Sequence, residues 1–229
     1  MTETAHPVTR ADRLLDAAGD LLVRWGYQRV TIEDVAKQAG VGKGTVYLHF
    51  RTKEALFLAV LMRSHRGVVG RMADRMEVDP AEALPARTVG SLYRELARDP
   101  VTRPLYLGDP EILGRLAHEA AAALGGIVER RTEIGRAWFG LLREAGLLRT
   151  DLAIDEQMRV FSAVTTGFFF IDGMSTVPGP TDPDGRADLL EHALRTALEE
   201  PTGRPTAEVA AASAALYRSL LTYIDALSA

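Results

Sequence analysis

TIEDVAKQAGVGKGTVYLHFRTK, residues 31–53, is the stretch on which the reading of this chain turns. Ile32, Val35, Ala36 and Ala39 recur at helical spacing and predict a short helix with one buried face. Thr31 precedes them as an N-cap whose hydroxyl accepts from an otherwise unpaired backbone N–H, with Asp34 in the first turn. Gly40 stands where that helix must stop, at a position suited to left-handed backbone angles. Val41 then plugs the corner and a second helix begins near Gly42, with Val46 and Phe50 pointing inward at i and i+4. Lys43, Thr45, Tyr47, Leu48 and His49 are left on the other faces, and the small Ala36 lets the two helices cross closely. This is the layout of a helix-turn-helix, whose second helix enters the major groove of DNA. The same spacing also fits a helical hairpin in any all-α protein, its charges merely solvated.

Working outward, an amphipathic helix is expected at about 9–26, with Leu14, Ala18, Leu21, Leu22 and Trp25 on its apolar face and Gly26 closing it before Tyr27. All three lysines of the chain (Lys37, Lys43, Lys53) fall within 31–53, against 24 arginines overall. The formal net charge of −4 is unevenly spread: residues 1–75 carry 12 Lys+Arg against 8 Asp+Glu, and residues 76–229 carry 15 against 23. A basic head on an acidic body confines phosphate attraction to one end.

The run GVGKGTVYLHFRTKEALFLAVL, residues 40–61, resembles the DNA-binding domain of the TetR family of bacterial transcription regulators. The resemblance rests on the Gly-Val turn, the Lys-Gly-Thr start of the second helix, its Tyr-x-His-Phe end and the Lys-Glu-x-Leu opening of the next helix. It covers about residues 9–62 and implies an all-α protein: a three-helix helix-turn-helix domain over 9–55, with its recognition segment at 31–50, then a larger helical domain for ligand binding and dimerisation over 56–229. It also implies contacts. Thr31, Tyr47 and Lys53 would meet phosphates, Lys43 a base edge such as guanine O6 or N7, Thr45 a base or thymine methyl, and His49 a phosphate, with Gly44 and Leu48 on the same helix. Two positions depart from the family pattern: Gly42 stands where serine is usual, and Leu48 where an aromatic residue is frequent.

The body reads as helices throughout, the first running from Lys53 to about Met76 and joining it to the head. Others are expected near 81–98, 101–107, 110–122, 124–145, 155–176, 187–200 and 206–227, with a proline-stiffened loop at 177–185. The family resemblance implies a cavity for a small apolar or amphipathic ligand. Candidates for lining it are Trp138, Phe139, Met158, Phe161, Phe168 and Phe169, with Tyr93, Tyr106, His118 or Asp172 placing a polar group among them. The same aromatic residues at helical spacing also read as plain core. Phe168, Phe169 and Phe170 spread over more than half of a helix, so one of them must meet a pocket, a partner chain or solvent.

One recognition helix reads too few base pairs to select a site in a genome. A homodimer on a palindromic double-stranded operator is therefore expected, its half-sites one helical turn or a multiple apart. By resemblance the interface falls on the late helices 155–176 and 206–227. The small face Ala210, Ser213, Ala214 permits close approach there, and a buried intramolecular face explains it equally.

No cysteine is present, so disulfides and thiolate metal sites are excluded, and the five histidines show no i, i+4 pair. No apolar run is long enough to span a bilayer, and no secretory leader is seen, which leads to the expectation of a cytoplasmic location without cofactor or membrane association. Catalysis is not expected, since there is no nucleophile elbow, phosphate loop or metal-ligand spacing. A repressor released by its ligand is the reading that follows. An activator or a nonspecific architectural DNA binder is the alternative.

Overall fold

The computed structural model describes residues 9–99, 126, 129–174 and 178–228, with 172–174 and 226–228 as backbone alone. Regular structure among these residues is helical apart from an isolated bridge between Leu148 and Glu199. The order is α1 (Arg10–Arg29), α2 (Ile32–Gln38), α3 (Lys43–His49), α4 (Lys53–Val78), a 3-10 turn (Pro80–Ala83) and α5 (Pro85–Arg98). Then come α6 (129–144), α7 (Ile154–Met174), α8 (Pro183–Leu198) and α9 (Ala207–Ser228). The helices expected at 101–107 and 110–122 lie outside the described residues.

Three local signals shape the head. Thr9 and Thr31 each cap a helix in a reciprocal box, the hydroxyl accepting from the N–H of Asp12 or Asp34 while that carboxylate takes the threonine N–H. Gly40 turns the chain between α2 and α3 at φ 68. Gly26, at φ 75, breaks α1 where the sequence places its end, and a last turn follows through Arg29.

The head core joins Leu14, Ala18, Leu21 and Leu22 of α1, Ile32 and Val35 of α2, Val46 of α3, and Leu56, Phe57, Val60 and Leu61 of α4. Each fully buried leucine or phenylalanine there contributes about 1.5–3 kcal/mol. The division expected at 55/56 thus falls inside α4, whose first turns belong to the head. Trp25 corrects the sequence reading. It has the helical phase of the buried face yet is 44% exposed, with the Arg29 guanidinium 5.7 Å from its ring centroid.

Past Leu61, α4 enters the body. Its Val69 packs with Ile134 of α6 and Leu220 and Ile224 of α9, and its Ala73 and Met76 meet Ala210 and Ala214 of α9. The small face of α9 is therefore buried within the chain. Arg66 pairs with Asp225 (2.5 Å) and Arg218 with Asp74 (2.9 Å) along the same contact. α5 has no cap of its own and begins on Pro85, but Glu199, from the end of α8, accepts from the Ala86 N–H at 2.8 Å. Burial pushes that carboxyl's pKa up. α8 starts at Pro183, capped by Asp182, so the loop ends before the expected residue 185. Pro at the first helical position after an aspartate was a start signal rather than loop chemistry.

Burial holds His65 of α4 well below its ordinary value, at about 4, with repulsion from Arg131 a lesser cause. The unfolded chain therefore binds this proton more readily than the folded one. The contribution to stability is fully present above pH 6.5 and is lost as pH falls through about 4. Melting temperature is expected to fall across that window, and His65→Gln should flatten the fall. An unchanged pH profile in the variant would show that His65 does not carry the linkage.

Candidate DNA-binding face

α3 rests on the head through one fully buried residue, Val46, with Thr45 and Phe50 half-buried beside it. Everything else on the helix is turned outward: Lys43, Gly44, Tyr47 (45% exposed), Leu48 (85% exposed) and His49. A leucine so exposed beside a histidine and a lysine is a surface apolar group with room to meet a partner. Gly42 leaves α3 without a side-chain cap, and a Cβ there would meet nothing within 4 Å, so the missing serine is not excluded by space. The contact it would have made is simply absent.

The expected cations are already engaged. Lys43 pairs with Glu33 in the first turn of α2 and lies 5.8 Å from the Tyr47 ring centroid. The hydrogen bond from Lys43 lowers the pKa of Glu33, and its counterpart raises that of Lys43. Lys53 donates to the Tyr27 carbonyl at 2.6 Å and sits 4.4 Å over the Tyr27 ring, at the end of α1. Tyr27 in turn donates to Glu54 at 2.9 Å. The hydroxyl of Thr31 donates to Asp34 at 2.6 Å, and this bond is the main reason the Asp34 carboxyl is held below the usual range. The Thr31 donor is thus directed at its own helix.

Arg51 was not singled out from the sequence. It is exposed in the link between α3 and α4, a cation of the kind that meets a phosphate. Its signal was available: it is the one basic residue between the recognition helix and α4.

In the body, Trp138 and Phe139 are buried with ring centroids 5.4 Å apart, and Phe161 stands edge-on to both, at 6.0 and 5.5 Å. The indole N–H of Trp138 donates to the Ala83 carbonyl at 3.2 Å. Tyr93 lies against Phe169, 5.2 Å between centroids, and Met158 and Phe168 pack on the same cluster. These members of the expected pocket pack tightly on one another. Tyr106 and His118 lie outside the described residues, as does the side chain of Asp172. Of the phenylalanine triplet, Phe170 is the one turned outward, 58% exposed beside Ile171 at 43%.

Residues 14–60 match the family model described as bacterial regulatory proteins, tetR family. Over these residues the chain is similar to the DNA-binding domain of that family. Among curated tetR-like relatives, a fatty acid metabolism regulator protein of Bacillus subtilis is 33% identical over 75 residues, which cover 33% of this chain and 37% of that protein. The transcriptional activator FasR of Mycolicibacterium smegmatis is 38% identical over 79 residues, 34% of this chain and 36% of its own length. The chain thus spans little more than a third of either relative. The fold extends further: the SmeT–triclosan complex superposes with a TM-score of 0.61 at 23% identity, covering 86% of this chain and 95% of that one. SmeT is also described as the repressor of a multidrug efflux pump of Stenotrophomonas maltophilia, in a structure with a TM-score of 0.59 at 22% identity over 85% of this chain and 92% of that one. At such identity the likeness concerns the tetR fold alone.

Proposed function

We propose that this protein is a sequence-specific, DNA-binding transcriptional regulator, acting as a homodimeric repressor on a palindromic operator. The observation that carries the reading is α3, anchored by Val46 alone and presenting Lys43, Tyr47, Leu48 and His49 outward, with Arg51 and Lys53 at its far end. In a major groove Lys43 would exchange Glu33 for a base edge, while Thr31, Tyr47, His49, Arg51 and Lys53 would face phosphates. α7 and α9 are the proposed dimer helices, and exposed Phe170 and Ile171 on α7 favour that placement. The body over 56–229 would bind a small apolar or amphipathic ligand, and a shift of α4 would carry its effect to the head. A cytoplasmic location belongs to the same reading. Among the described residues no helix is long and apolar enough to cross a membrane, and no side-chain cluster is suited to a metal. The name of FasR makes activation the second reading.

An operator selected from random duplex by the purified protein supplies the test. Lys43→Ala should cost about 1–3 kcal/mol of discrimination between operator and mismatched duplex. Arg51→Ala should weaken binding to all sequences alike and flatten the salt slope by about one unit. Lys53→Ala should do so less, because its ammonium also holds the end of α1. Glu33→Gln should tighten binding by freeing Lys43. Unchanged specific binding in the three cation variants would show that this face does not meet DNA.

A further inference from the structure

A cleft of about 580 Å³ opens between α4 and α5, and its walls are unlike an apolar pocket. Arg71 and Arg75 of α4 face Arg94 and Arg98 of α5, with Ser91, Glu95 and Asp99 completing it. Four guanidinium groups against Glu95 and Asp99 leave the lining with a surplus of positive charge. Asp184, Asp188 and Glu191 of α8 hold Arg94 and Arg98 from behind, with Arg94 to Glu191 at 2.7 Å and Arg98 to Asp184 at 3.0 Å. The other two arginines share one carboxylate: Arg71 and Arg75 both donate to Glu95, which is only 12% exposed. Each guanidinium carries five N–H donors, so a single carboxylate leaves most of theirs unused. One is stranded outright: Nη1 of Arg75 is buried and meets no acceptor. A buried charged donor without an acceptor is costly, and oxyanions match the planar guanidinium fork in both charge and shape.

We propose that this cleft binds a small organic anion, through a carboxylate or phosphate group seated between Arg71, Arg75 and Arg94, with Glu95 as its built-in competitor. The cleft has room for more than a bare phosphate. The inference requires nothing of the DNA-binding reading. Either can fail alone.

The test is thermal melting of the full chain titrated with inorganic phosphate and, separately, with acetate, at ionic strength held constant with chloride. Saturable stabilisation by one or both is expected, and the stronger of the two identifies the head group. Arg75→Gln should weaken the apparent affinity at least about tenfold. Glu95→Gln should strengthen it at least about threefold, because the vacated donors turn to the added anion. Were Glu95 merely a structural partner of the two arginines, its variant would melt lower and show no enhanced response. No saturable response in the wild-type chain, an Arg75→Gln variant that binds as the wild type does, or a Glu95→Gln variant that binds no tighter would each overturn the proposal.

Discussion

Trp138→Ala is expected to lower the stability of the chain by about 3–5 kcal/mol, measured as a shift of the urea midpoint at constant slope. The indole is 2% exposed and stands edge-on to Phe139, Phe161 and Tyr217, with centroids 5.4, 6.0 and 5.5 Å away. Removing it opens a cavity among side chains that come from α6, α7 and α9 and cannot collapse together. It also strands the Ala83 carbonyl, which accepts the indole N–H in a buried setting, and that adds about 1–3 kcal/mol if nothing replaces the bond. Trp138→Phe should recover much of the packing without the hydrogen bond and fall between the two. A loss below about 1 kcal/mol in the alanine variant would mean that this cluster is a yielding ligand surface rather than packed core.

The second large effect is expected at Gly90, where α5 passes α8. A Cβ there would lie 2.2 Å from Oε1, 2.4 Å from Cγ and 2.6 Å from Cδ of Glu191. Overlap along the length of the side chain cannot be relieved by swinging its tip. Glu191 is 5% exposed and held by Arg94 at 2.7 Å and by Arg195 at 3.1 Å. Gly90→Ala must therefore part the helices or expel the carboxylate from its arginines. Overpacking alone costs about 1–3 kcal/mol, and breaking a buried ion pair raises that toward about 3–5 kcal/mol. The helix propensity gained by alanine, about 1 kcal/mol, does not offset this. Combining Gly90→Ala with Glu191→Ala should cost less than the two losses added together. Strict additivity would sink the overlap account.

The head was legible because each of its determinants is local. Thr31 with Asp34, Gly40, and Val46 with Phe50 all act within a few residues, so their spacing in the chain is already their geometry. Trp25 misled because periodicity reports which way a side chain points, not whether another helix reaches that level to cover it. Lys43 and Lys53 were recognisable as cations, but their partners Glu33 and Tyr27 belong to other elements and no spacing rule connects them. The body was readable as helices and little more. Its defining contacts join residues as far apart as Gly90 and Glu191, Ala86 and Glu199, or Arg75 and Glu95, and the charge cluster on α4, α5 and α8 appears in sequence as scattered arginines and acids. The small face of α9 suited a partner chain and α4 equally well. Only the packing of Ala210 and Ala214 on Ala73 and Met76 distinguishes the two.

α4 belongs to two cores at once: Leu56 to Leu61 complete that of the head, and Val68 to Met76 help build those of the body. Modularity follows a different seam from the one the motif suggests. A chimaera joined at residue 55, in the first turn of α4, would give one parent's head the other parent's Leu56, Phe57, Val60 and Leu61, and so a mismatched wall. A junction between residues 62 and 67 leaves both sets of contacts with their own parent. Transplanting the head as a working module therefore means carrying over the first nine residues of α4, Lys53 to Leu61, along with it.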